Sequence, residues 1–142
     1  MTTGECVDIT RRTDYAIRMM VALAEAGDAC PVSVRTLAEA QSVPYAFARA
    51  VQRDLMAAGL VSATRGAAGG LCLARPTSGI TLLEVVEATQ GPPSIAVCVN
   101  HPEWCDRSGS CAVHSVWQEA DALVRDHLGS RTLAGLLSKH GR

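Results

Sequence analysis

Residues 33–75, SVRTLAEAQSVPYAFARAVQRDLMAAGLVSATRGAAGGLCLAR, contain the pattern that decides the fold. Ser33 stands where a side-chain oxygen caps a helix running to Ala40, with Val34, Leu37 and Ala38 on the inner face. Gln41, Ser42 and Val43 make a short connection, and Pro44 reads as the first position of a second helix, where its missing N–H is tolerated. In that helix Ala48, Val51 and Leu55 form a buried stripe, leaving Tyr45, Ala46, Arg49, Gln52 and Arg53 on the other faces until Gly59 ends it. Residues 60–64 and 71–74 read as two short strands around a glycine-rich turn led by Arg65 and Gly66. Two helices joined by a tight turn and followed by strand, turn and strand predict a winged helix-turn-helix.

Working outward, residues 13–26 form an earlier helix with Ile17, Met20, Val21 and Ala24 at helical spacing, stopped by Gly27 and Asp28. On the other side Thr81 and Glu84 fit a capping box, and Gly91 followed by Pro92 and Pro93 closes that helix. Residues 92–111 then read as one long loop, a length that marks function or disorder in a compact domain. Residues 112–128 align Val113, Val116, Trp117, Ala120, Leu123, Val124 and Leu128 along one stripe, and a last short helix opens at Thr132 with Leu133, Leu136 and Leu137. A long one-sided helix near the end of a small chain needs a partner surface, and a second copy is the simplest one. The expected organisation is mainly α: a winged helix-turn-helix domain over 9–91, a cysteine-rich loop over 92–111, and a dimerisation helix with a C-terminal helix over 112–142.

The chain has 142 residues, 48% hydrophobic and only 4% aromatic, so one domain with an aliphatic, alanine-rich core is expected. Thirteen basic against 14 acidic side chains give a net charge of -1, which excludes a strongly basic coat or an acidic tail. Charge is nevertheless local: residues 45–75 hold four arginines against the single acid Asp54. On the second helix of the motif Ala46, Arg49 and Arg53 stand at i, i+3 and i+7, a face suited to guanine edges and phosphates. Tyr45 and Gly66 complete the expected DNA-facing set with Arg65, because glycine at the wing tip permits close approach to a backbone or narrow minor groove.

No leader-like or membrane-spanning apolar run is present, which makes a cytoplasmic setting the expectation and disfavours a disulfide framework among the six cysteines. Cys98, Cys105, Cys111 and His114 fall within 17 residues as C-x6-C-x5-C-x2-H. Thiolates with one imidazole suit zinc, copper or an iron–sulfur cluster, and the absence of tight C-x2-C pairs favours the cluster over zinc. Alternation along the second strand points Cys72 outward, and Cys6 and Cys30 have no evident partners. No phosphate-binding glycine loop or nucleophile–base pair supports an enzyme.

The stretches ITRRTDYAIRMMVALAE, LMAAGLVSATRG, AAGGLCLARP, ITLLEVVEATQG and the cysteine loop leading into CAVHSVW resemble the Rrf2 family of bacterial transcription regulators, including IscR-, NsrR- and RirA-like members, over almost the whole chain. The resemblance implies a homodimer that crosses its long helices, an inverted-repeat operator on double-stranded DNA, and an iron–sulfur cluster, 2Fe-2S or 4Fe-4S, that controls DNA affinity. It implies Cys98, Cys105 and Cys111 as cluster ligands, with His114 as the fourth, or alternatively Asp14 from the other subunit. The sequence departs from the family in having six residues between the first two loop cysteines, where five is common, and in Arg49, where IscR carries a glutamate. The rival readings are a metal-free, thiol-based redox repressor and a small iron–sulfur electron carrier or scaffold.

Overall fold

The computed structural model describes residues 8–107 and 109–140, with Val97 and His140 described by their backbone alone, so Cys6 lies outside the described residues. Helix α1 (Arg11–Ala26) begins two residues earlier than its apolar period because Thr10 caps it, accepting from the Thr13 amide at 3.2 Å. Its inner face buries Met19, Met20 and Leu23 in the centre of the core. Gly27 adopts φ 53° immediately after it, a positive-φ conformation that glycine takes without a Cβ clash and that ends the helix. Helix α2 (Val34–Ala40) is capped by Ser33, and α3 (Tyr45–Ala57) buries Ala48, Val51 and Leu55 completely. Pro44 is not the first helical residue as expected: its ψ of 135° is extended, which places it at the N-cap. Its carbonyl accepts the first intrahelical bond, from the Ala48 amide.

Strands β1 (Val61–Thr64) and β2 (Gly70–Leu73) pair antiparallel with Val61 opposite Leu73 and Thr64 opposite Gly70. The hairpin is anchored to the helical part by a bridge between Val32 and Leu71, whose backbone groups exchange hydrogen bonds of 3.0 and 2.8 Å. A Cβ at Gly70 would run into the Val32 carbonyl, so glycine there is what lets the wing lie this close. The expected capping box forms at the start of α4 (Leu82–Gln90): the Thr81 amide donates to Glu84 Oε2 at 2.9 Å and the Glu84 amide to Thr81 Oγ1 at 3.2 Å.

The segment expected to be one loop contains the single-turn helix α5 (Val97–Asn100) and a 3-10 turn over Pro102–Trp104. Helix α6 (His114–Gly129) follows, starting two residues after the expected position. The chain then folds back. Thr132 bridges Thr81, the Leu133 amide donates to the Ile80 carbonyl at 3.0 Å, and α7 (Leu133–His140) packs on α1 with Leu133 fully buried. The core is therefore closed by α1, α2, α3, the wing, α4 and α7, while α6 buries only Asp121.

Candidate functional site

Because Ala48, Val51 and Leu55 turn inward, α3 presents Tyr45, Ala46, Arg49 and Arg53 outward, and all four are exposed. Arg65 and Gly66 are exposed at the wing tip, where Gly66 takes φ 108° and its carbonyl accepts from the Gly69 amide at 2.9 Å. The acid in this region is neutralised from outside it: Arg12 on α1 donates to Asp54 at 2.6 Å, joining α1 to α3. Arg75 is consumed in turn by Glu84 at 2.8 Å. Burial works against the charge on Glu84, but the Thr81 amide and the Arg75 guanidinium outweigh it and hold that carboxyl below its ordinary range. No ion pair engages Arg49, Arg53 or Arg65 among the described residues, so the local positive charge resides on these three.

Three aromatic contacts that the sequence reading did not include support this surface. The Arg35 guanidinium of α2 lies 4.3 Å from the centroid of the Tyr45 ring, which holds the first residue of α3. Tyr15 and Phe47 meet edge to face with centroids 5.3 Å apart, and Arg18 stacks over Tyr15. Arg18 also grips Asp14 at 2.6 Å, so the carboxylate considered as an alternative ligand is already engaged within its own chain.

The cysteine segment has a different character. Cys98 sits on α5, Cys105 is exposed after the 3-10 turn, and Cys111 lies one turn before α6. His114, the first residue of α6, places Nδ1 3.3 Å from Cys98 Sγ. Cys111 joins the same turn through its carbonyl, which accepts from the His114 amide at 3.2 Å. Thus the structure brings Cys98 and His114 into contact and keeps Cys111 nearby in the chain; no group of three or more converging His, Cys, Asp or Glu ligands occurs among the described residues. Trp104 stacks on His101 with centroids 4.0 Å apart. One further link runs from this segment into α6. Arg125 donates to the buried Asp121 at 2.7 Å and to Asn100 Oδ1 at 3.2 Å, and Asn100 donates to the Pro92 carbonyl.

A model of the Rrf2 family, described as iron-dependent transcriptional regulators, matches residues 9–139. The chain belongs to the Rrf2 family. It is 30% identical over 129 residues to protein rrf2 of Nitratidesulfovibrio vulgaris, covering 91% of this chain and 86% of that protein. It is 26% identical over 130 residues to the transcriptional regulator IscR of Escherichia coli, covering 92% of this chain and 80% of the relative. Among solved structures, T. potens IscR superposes with a TM-score of 0.76 at 26% identity, covering 94% of this chain and 88% of that one. Rrf2 proteins are transcriptional regulators, not enzymes, and the winged helix-turn-helix expected from residues 33–75 is the fold of this one.

Within this Rrf2 fold a further sequence expectation is corrected. Cys72 does not point outward without a partner: Cys30 and Cys72 form a disulfide, with Cα atoms 5.3 Å apart. The Val32–Leu71 bridge makes residue 32 an extra edge partner of the hairpin and brings residue 30 against β2, a tertiary pairing that alternation within one strand does not report. Among the described residues Cys98, Cys105 and Cys111 form no disulfide. The Asp121–Arg125–Asn100 link was also missed; its one sequence signal is the i, i+4 charge pair on α6.

Proposed function

We propose that this Rrf2 regulator is a homodimeric, cytoplasmic transcription repressor whose affinity for an inverted-repeat operator is set by an iron–sulfur cluster held by Cys98, Cys105, Cys111 and His114. The observation that carries the proposal is the 3.3 Å approach of His114 Nδ1 to Cys98 Sγ at the N-terminus of α6. Three thiols and an imidazole in one short segment suit such a cluster, and two of these donors already meet. His114 is favoured over Asp14 as the fourth ligand because Asp14 is held by Arg18. When bound, an iron–sulfur cluster supplies a centre whose charge and integrity respond to oxidation, nitric oxide or iron supply.

The chain's own residues then carry the response. Loading requires the segment to bring Cys105 and Cys111 to the Cys98–His114 pair, and Asn100 transmits that change to α6 through Arg125. Helix α6 and its N-cap Val113 leave Val113, Val116, Trp117 and Leu123 exposed, Leu123 at 72%, which supports pairing with a second copy along this stripe. A shift of paired α6 helices changes the separation of the two α3 helices, which must match half-sites about 34 Å apart. Tyr45, Ala46, Arg49 and Arg53 then face the major groove, and Arg65 with Gly66 faces the flanking backbone or minor groove.

Anaerobically purified protein should absorb in the visible range above about 400 nm, and Cys105→Ala should abolish that absorption. Colourless protein carrying stoichiometric zinc would overturn the cluster assignment. A metal-free thiol sensor is the second reading, favoured by the exposure of Cys105, and its DNA response would survive iron removal.

A further inference from the structure

The disulfide between Cys30 and Cys72 lies outside the cysteine segment and joins the two halves of the DNA-reading domain. Cys30 follows a 3-10 turn over Gly27–Ala29 within the connection from α1 to α2, and Cys72 sits on β2 of the wing, 42 residues away in sequence. Both are only partly buried, so small oxidants and reductants reach them. We propose that Cys30 and Cys72 are a reversible thiol-oxidation site, distinct from the Cys98–Cys111 segment, that takes a hydroperoxide and locks the wing onto the helix-turn-helix.

The Cα separation of 5.3 Å is inside the range that a disulfide spans without backbone movement. The pair is held there by neighbouring contacts: the two Val32–Leu71 hydrogen bonds, the buried Leu71 side chain, and the close approach at Gly70. The thiols are therefore presented to each other by the fold, and oxidation needs no rearrangement of α3. In the reaction one thiolate attacks a peroxide oxygen, breaks the O–O bond and becomes a sulfenic acid while an alcohol or water leaves. The second thiol then displaces water to form the S–S bond. In sum, two thiols and one hydroperoxide give one disulfide, one water and one alcohol, with two electrons passing to the peroxide. A small thiol reverses it by exchange, and the two thiols return as the reductant becomes a disulfide.

In the reduced form the wing is held to the helices by the Val32–Leu71 bridge and by packing alone. In the oxidised form a covalent link between Cys30 and Cys72 holds it as well, so less freedom is lost when DNA binds. A gain in affinity of about three- to tenfold follows from this preorganisation. The gain should act through the wing tip and so depend on Arg65.

The test uses the full-length chain, reduced under anaerobic conditions and then treated with hydrogen peroxide. Free thiols are alkylated and the protein is mapped by peptide mass spectrometry. DNA affinity is read in the full-length chain with Cys98, Cys105 and Cys111 changed to Ser, where no cluster can answer the peroxide, on a duplex enriched from a randomised pool by its reduced form. The expected result is a Cys30–Cys72 cross-linked peptide that disappears with dithiothreitol, a three- to tenfold tighter Kd for the oxidised form, and loss of that difference in Arg65→Ala. Cys72→Ser should remove both the cross-link and the peroxide effect, and Cys30→Ser serves if that variant does not fold. A chain with Cys98, Cys105 and Cys111 all changed to Ser should still form the cross-link, which keeps this test separate from the cluster assignment. Peroxide-induced bonds that join Cys30 or Cys72 to Cys6 or to the 98–111 segment instead, or equal Kd values for both states, would overturn the proposal.

Discussion

Replacing Arg125 with methionine tests whether the cysteine segment is mechanically joined to α6. Methionine keeps much of the aliphatic stem and removes the guanidinium. Asp121 is only 8% exposed and Arg125 32%, and their contact is 2.7 Å. Removing one member of a fully buried pair costs about 3–5 kcal/mol, because the other charge is left without a partner. Water reaches the guanidinium here, so the cost falls toward the range of a single charge-assisted hydrogen bond, about 1.5–3 kcal/mol. The lost bond to Asn100 adds about 0.5–1 kcal/mol. A destabilisation of about 2–4 kcal/mol is expected, read as a lower urea midpoint with unchanged slope at fixed protein concentration. The double variant Asp121→Asn with Arg125→Met should recover part of this loss, since no unpaired carboxylate then remains. The functional consequence is separate: the variant should retain visible absorption while its DNA affinity responds less to cluster loss. A midpoint shift worth less than about 0.5 kcal/mol, the scale of an ordinary surface substitution, would refute the energetic reasoning. A fully retained cluster-dependent change in Kd would refute the coupling.

Other outcomes follow from the same geometry. Arg65→Ala should weaken DNA binding and lower the slope of log K against log salt by about 1, as expected for one lost phosphate contact; an unchanged slope would remove Arg65 from the contacts. Leu123→Glu, at a position 72% exposed in the single chain, should shift sedimentation toward monomer without lowering helix content, and a persistent dimer would exclude this face from the interface. Glu84 has its carboxyl pKa held below the ordinary glutamate value, so its contribution is present above that value and is lost as pH falls through the lower, folded-state pKa. Glu84→Gln should therefore flatten the acid limb of a stability–pH profile, and an identical profile would show that the capping box does not stabilise through charge.

The winged helix-turn-helix was readable because its signals are local. Ala48, Val51 and Leu55 define the inner face of α3 by spacing alone, and the Thr81–Glu84 capping box depends on residues three apart. The donor residues of the cysteine segment are likewise adjacent in sequence, and the Cys98–His114 contact spans only 16 residues. What escaped the sequence depends on long-range packing. The Cys30–Cys72 bond requires knowing that Val32 pairs with the wing, and the Arg12–Asp54 contact spans 42 residues. Pro44 was displaced by one position because both the N-cap and the first helical position accommodate a residue without an N–H, and only its ψ distinguishes them. The return of α7 to pack Leu133 against the α1 side of the core depends on the Thr81–Thr132 bridge, which pairs two segments that sequence periodicity treats separately.

The central claim, that an iron–sulfur cluster on Cys98, Cys105, Cys111 and His114 sets DNA affinity, is tested most directly by one comparison. The dissociation constant of a selected DNA duplex is measured for one anaerobic preparation before and after its iron is removed by chelation, at constant salt. The account predicts a change of about tenfold or more, equivalent to about 1.4 kcal/mol of coupling between the two sites. Identical dissociation constants for the iron-loaded and iron-free protein would contradict it.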